Sequence, residues 1–208
     1  GALEVEVAEM LCAIVPGAEM CRFASNGYDV TNAAIKVARY VTGKRHVIFC
    51  GYAGGHDSYL ITTDKHGGIL ANITMYNHQV PWRDDASIAS VLEVCGDDLA
   101  AIMLEVPPEA QGVSTEDTAV TIRRYANAAH TAGGLFILDE VVTGLRYGLG
   151  GAQEYHGVEA DVMTMSKALS AGQAKDYYRQ EFISAKENYY SESGEVRGQW
   201  YGRLAEEW

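Results

Sequence analysis

"GGLFILDEVVTGLR", Gly133 to Arg146, carries the pattern that decides the fold. Two glycines open it, four apolar residues follow (Leu135 to Leu138), and the run stops on two carboxylates, Asp139 and Glu140. A short apolar run bounded by turn residues reads as a strand buried on both faces. Buried charge is costly unless paired. Two acids at the tip of such a strand therefore point either to a turn into solvent or to a cationic partner waiting at that end.

The neighbouring segments extend the pattern. "ALEVEVAEMLCAIVPG" reads as a helix that stops at Pro16-Gly17, and "CRFASNG" as a short strand closing on a tight turn. "DVTNAAIKVARYVTGK" carries Val30, Ala33, Ala34, Val37, Ala38 and Val41 along one helical face and ends at Gly43, a C-cap. "HVIFCG" is a strand and "YAGGHDS" a glycine-rich loop. "AAIMLEVP" is a further strand, and "STEDTAVTIRRYANAAHTAGG" a helix capped by Ser114 or Thr115. After the opening strand come "GAQEYHG", a short helix or turn, and "ADVMTMS", another strand.

Apolar strands alternating with helices predict an α/β fold: a mostly parallel sheet with helices on both faces. Ligands of such sheets bind beyond the carboxyl ends of the strands. Those ends carry Ser25-Asn26-Gly27, Gly51-Tyr52, Glu105, Asp139 and Ser166-Lys167, so several reactive groups converge on one rim. After Lys167 the texture changes. Tyrosine pairs Tyr177-Tyr178 and Tyr189-Tyr190 appear with two tryptophans and no buried-strand run, so residues 169–208 are expected to form a short α-rich or irregular tail after a domain spanning 1–168.

Bulk properties narrow the function. The 208 residues suffice for one or two domains, and 48% hydrophobic content supports a real core. A formal charge of −12 argues against nonspecific nucleic-acid or membrane binding by the bulk of the protein. Cys12, Cys21, Cys50 and Cys95 form no CxxC pair and read as reduced, buried thiols of a cytoplasmic protein. No apolar run approaches membrane-spanning length. The six histidines show no metal-ligand spacing, and no metal is assigned. The helix-like start at Gly1 suggests a cut inside a longer protein.

The rim suits an aldehyde cofactor with a pyridine ring and a phosphate. Such a group needs a lysine for the imine, a carboxylate on the ring nitrogen, a flat side chain over the ring, and backbone donors for the phosphate. Lys167, Asp139, Tyr52 and the Ser25-Asn26-Gly27 helix opening answer these needs in turn.

"EMCRFASNGYDVTNAAIKVARYVTGKRHVIFCGYAGGHDSY" and "LFILDEVVTGLRYGLGGAQEYHGVEADVMTMSKALSAG" resemble the class III pyridoxal-phosphate aminotransferases, the family that includes glutamate-1-semialdehyde aminomutase. The likeness covers roughly residues 1–170, and the spacing of Asp139 and Lys167 fits the family pattern. The resemblance implies part of the large domain of a fold-type I enzyme and the cofactor pyridoxal 5′-phosphate. Lys167 would carry the cofactor and move the proton, and Asp139 would pair with the ring nitrogen. Val141 and Tyr52 would pack on the two ring faces, and Asn26, Gly27 and Tyr28 would sit at the phosphate. Glu105 would help order the site and Glu140 the loop beyond it. Transamination or an amino-group shift on a small amino acid or amino-aldehyde would follow, in a homodimer. Departures from the pattern are Tyr28 for a serine or threonine, Ala53 for a histidine, Val106 before Pro107, and Leu145 for a phenylalanine. The family's N-terminal substrate segment and small C-terminal domain have no counterpart in these residues.

The tail "SKALSAGQAKDYYRQEFISAKENYYSESGEVRGQWYGRLAEEW" resembles the start of conjugative relaxases, DNA-nicking enzymes with paired tyrosines. That likeness implies Tyr177 as leading nucleophile, Tyr189 or Tyr190 as the second, and single-stranded DNA as partner, with the metal-binding histidines beyond residue 208. The two resemblances meet at "SKALSAG", which points to a chimera of unrelated reading frames. A catalytically inactive fusion product is the third reading.

Overall fold

The computed structural model describes residues 2–106 and 115–169. The chain divides into two units, Gly1–Ala168 and Leu169–Trp208. The architecture below is that of the first. Tyr177, Tyr178, Tyr189, Tyr190 and Ser114 lie outside the described residues.

Helix α1 (Ala2–Ile14) is followed by α2 (Gly27–Thr42), strand β1 (His46–Cys50), a single helical turn α3 (Asp57–Leu60) and β2 (Asn77–Val80). Then come α4 (Asp85–Cys95), β3 (Leu99–Glu105), α5 (Thr115–Thr131), β4 (Leu135–Glu140), α6 (Gly151–His156) and β5 (Val162–Met165). The strands form one sheet in the order β2-β1-β3-β4-β5, and every pairing is parallel. This is the expected α/β architecture, with helices on both faces.

Period-2 alternation sorts the near-continuous apolar strands onto two cores. Ile48, Ile102, Leu104, Phe136 and Leu138 face one side and pack with Ile88 of α4 and Ile122, Tyr125 and Ala129 of α5. Val47, Phe49, Ala101, Met103 and Ile137 face the other and pack with Ala34, Ile35 and Ala38 of α2. Each of these large side chains, buried fully, contributes about 1.5–3 kcal/mol to folding before entropy is counted.

The same alternation separates the two acids that end β4. Asp139 follows the parity of Ile137, toward α2. Glu140 follows that of Leu138, toward the opposite core. There its carboxylate accepts the N–H groups of Ala152 (2.6 Å) and Gln153 (2.8 Å) at the start of α6, and the Thr143 hydroxyl at 3.4 Å. A carboxylate at a helix N-terminus satisfies otherwise orphaned donors.

Three expectations need correction. Residues 21–24 form no strand: Met20 is 86% exposed, Phe23 lies at the surface, and no strand among the described residues pairs with them. Ser25 and Asn26 instead lead into α2, where the Asn26 Oδ1 accepts the N–H of Asp29 at 2.9 Å as N-cap. Cys12, on α1 where only Leu11 is buried, and Cys21, in the irregular segment after it, are half-buried; Cys50 and Cys95 are buried, and all four thiols are free. Finally, β2 and α4 were not anticipated.

Candidate active site at the carboxyl edge of the sheet

The strand ends set a row. Register places Glu105 of β3 beside Asp139 of β4, and Asp139 beside Thr164 of β5. On the other side of Glu105, β1 passes into Gly51 and Tyr52, and the Tyr52 N–H donates to the Glu105 Oε2 at 2.8 Å. Gly51 has φ +94°, and a Cβ there would lie 2.7 Å from that of Glu105. Only glycine meets both demands without strain.

Asp139 is buried, and its bonds are one-sided. Oδ1 accepts the N–H of Val141 at 2.9 Å and the hydroxyl of Thr164 at 2.9 Å. Among the described residues Oδ2 has no hydrogen-bond donor. Burial pushes this carboxyl up to about 7; the Val141 N–H and Thr164 hydroxyl oppose the shift, Glu105 adds to it, and Lys167 opposes it. Glu105 is also raised by burial, with the Tyr52 N–H and Lys167 acting against the shift. Lys167 follows β5 in a turn, is exposed, and has φ +37°, a region few non-glycine residues occupy.

The start of α2 closes the arrangement. A Cβ on Gly27 would lie 3.0 and 3.3 Å from the two methyls of Val141 and 3.4 Å from the Cβ of Ser166. The backbone N–H groups of Gly27 and Tyr28 precede the first helical hydrogen bond, from Val30 to Asn26 at 3.3 Å. They are the donors a helix N-terminus offers to an anion. The Tyr28 backbone also approaches the Gly54 loop, and its ring lies 6.1 Å from that of His56. The Tyr52 ring is 57% exposed and meets Tyr59 edge-on at 5.4 Å.

The eight residues expected from sequence (Asn26, Gly27, Tyr28, Tyr52, Glu105, Asp139, Val141 and Lys167) thus all lie on the one edge, joined through contacts or shared charge. The arrangement fits a flat cationic ring with an anionic arm. It offers a buried carboxylate with an open oxygen, a helix N-terminus, and a close approach of Gly27 to Val141 and Ser166 that a side chain at Gly27 would disturb. Sequence reasoning missed Thr164, which register alone aligns with Asp139, and Ser166 as a wall against Gly27. It also missed His56, a buried imidazole that caps α3 through Nδ1 at 3.3 Å from the Tyr59 N–H and whose Nε2 meets no hydrogen-bond partner of good geometry among the described residues. Burial pushes His56 down to about 4, so the ring is neutral at ordinary pH.

Comparison with known proteins gives the family. Residues 2–186 match the family described as aminotransferase class-III. The match runs past Ala168, where the chain divides. The chain belongs to the class III aminotransferase family. Glutamate-1-semialdehyde 2,1-aminomutase of Methanospirillum hungatei is 35% identical over 181 residues, covering 81% of this chain and 43% of that protein. The same enzyme of Methanoculleus marisnigri is 36% identical over 182 residues, with 82% and 43% covered. Among solved structures, an omega-transaminase from Sphaerobacter thermophilus superposes with TM-score 0.68 at 26% identity, over 79% of this chain and 41% of that one. A transaminase with PLP bound gives 0.70 at 26%, over 83% and 42%. The chain therefore spans less than half the length of these relatives.

Proposed function

We propose that this edge is a pyridoxal-phosphate site, and that the chain supplies the cofactor-binding part of an enzyme that transfers or shifts an amino group on a small amino acid or amino-aldehyde. The observation that carries the reading is Asp139: a buried carboxylate, oriented through one oxygen, open at the other, in register with Glu105 and under the field of Lys167. The bound cofactor supplies an electron sink for the bond broken at the substrate α-carbon. Thr164 and the Val141 N–H hold the Asp139 carboxylate in place, where it would pair with the cofactor's ring nitrogen and favour its protonated form. Gly27 and Tyr28 donate backbone N–H groups to the phosphate, with Asn26 fixing the helix start. Val141 and Tyr52 bound the ring faces. Lys167 would hold the cofactor through its amine and move the substrate proton. Glu105 anchors the Tyr52 loop.

The names of the curated relatives favour an amino-aldehyde or its amino-acid isomer as substrate. We further propose a homodimer, as expected for the family, and a cytoplasmic setting, in keeping with four free thiols. None of the helices among the described residues is long and apolar enough to cross a membrane. The test is absorbance. Addition of pyridoxal phosphate should give a visible band that Lys167→Ala removes; a colourless wild-type mixture would reject the reading.

For residues 169–208, the strings "KENYYS" and "LAEEW" favour relaxase descent. A covalent adduct with single-stranded DNA that Tyr177→Phe abolishes would support an active tail, and no adduct in the presence of divalent metal would reject it.

A further inference from the structure

The opposite end of the sheet gathers three side chains that the cofactor site does not use. His46 opens β1, His78 lies on the neighbouring strand β2, and Cys95 ends α4. The Nδ1 of His46 and the Nε2 of His78 are 2.8 Å apart, and the two rings are within 16° of parallel. One ligand atom from each of the three residues lies within 4.8 Å of the other two. Two imidazoles and a thiolate, partly or fully buried, are a donor set for a borderline-soft cation such as zinc.

We propose that His46, His78 and Cys95 form a three-ligand zinc site, its fourth position open to water, that ties the amino end of β1 to the edge strand β2 and to the end of α4. The surroundings favour metal on the Nδ1 of His46. Its Nε2 lies 3.9 Å from the Oδ2 of Asp98, a carboxylate itself held by the Arg45 Nε at 2.6 Å and the Arg45 N–H at 2.9 Å. At that distance the carboxylate's charge favours a proton on Nε2, which leaves the Nδ1 lone pair free. On binding, the proton His78 holds on Nε2 moves to its Nδ1, and the Cys95 thiol releases its proton to solvent. The two nitrogens must separate to about 3.3 Å to accept a tetrahedral ion at ~2.0–2.1 Å from each. Water completes the coordination. The role is a staple: three ligands from three elements at the edge of the sheet, at the end remote from the strand termini that carry Glu105 and Asp139.

Equilibrium dialysis of the full chain, free of pyridoxal phosphate, against zinc and then against cobalt tests this. The expected result is one zinc per chain and, with cobalt, a thiolate-to-metal charge-transfer band with visible bands of a tetrahedral ion. Cys95→Ser should abolish the charge-transfer band and His78→Gln should weaken zinc binding at least about tenfold, while Cys12→Ser leaves both unchanged; circular dichroism confirms that each variant is folded. Wild-type protein that retains no zinc, a cobalt spectrum lacking the thiolate band, or metal retained in folded Cys95→Ser and His78→Gln would each overturn the proposal.

Discussion

Glu105 and Asp139 are register partners on adjacent parallel strands, two carboxylates side by side at the carboxyl edge of the sheet. Both are raised by burial, and the charge of Lys167 opposes the shift in each. Such a pair is unfavourable in an empty site and favourable once a cationic ring is present. On the proposed reading, the edge trades stability for ligand binding.

Asp139 makes that cost visible as pH dependence. Its carboxyl is raised from 3.8 to about 7 in the folded chain, so between those values the unfolded chain has lost a proton that the folded chain keeps. Cofactor-free stability should therefore fall as pH rises from about 4 to about 7 and level off above, by up to about 4 kcal/mol for this group. Asp139→Asn should flatten most of that slope in urea unfolding, leaving the smaller contributions of Glu105 and Glu140, and should also weaken cofactor binding. An unchanged slope would show that Asp139 is ionised in the folded chain.

Gly27→Ala places a methyl against Val141 and Ser166 at 3.0–3.4 Å. Cofactor affinity should drop about tenfold, equivalent to roughly 1.4 kcal/mol, with little change in melting temperature. Fluorescence titration with pyridoxal phosphate measures the first and calorimetry the second.

Gly51→Ala should act on the scaffold as well. It combines φ +94° with a Cβ 2.7 Å from that of Glu105, and strain of this kind costs about 1–3 kcal/mol. Chemical denaturation should show that loss together with weaker cofactor binding, because the Tyr52 loop shifts with Glu105.

Glu140 faces away from this edge and caps α6. Glu140→Ala leaves two buried N–H groups without an acceptor and should destabilise the protein by about 2–4 kcal/mol. Cofactor affinity per folded molecule should stay within about twofold, a shift of less than ~0.5 kcal/mol; a selective loss of affinity would move Glu140 into the site.

Much of this was legible in sequence. The strands β1, β3 and β4 announce themselves by apolar runs, α2 by its amphipathic face and Gly43 cap, and the opposite facing of Asp139 and Glu140 follows from alternation alone. The strand β2, "NHQV", was not legible, because its place comes from pairing with β1 and not from any hydrophobic period of its own. The false strand at residues 21–24 has the reverse cause: local composition suited a strand, but no strand among the described residues pairs with the segment. Thr164, and the meeting of His46, His78 and Cys95, depend on register and on the return of α4 to β3. No spacing rule encodes either.

The most direct measurement of the central claim is borohydride reduction of the chain with pyridoxal phosphate, followed by peptide mass spectrometry. The account predicts one dominant phosphopyridoxyl mass increment, on Lys167, and its loss from that peptide in Lys167→Ala. An increment spread evenly over Lys36, Lys44 and Lys65, or none on Lys167, would contradict it.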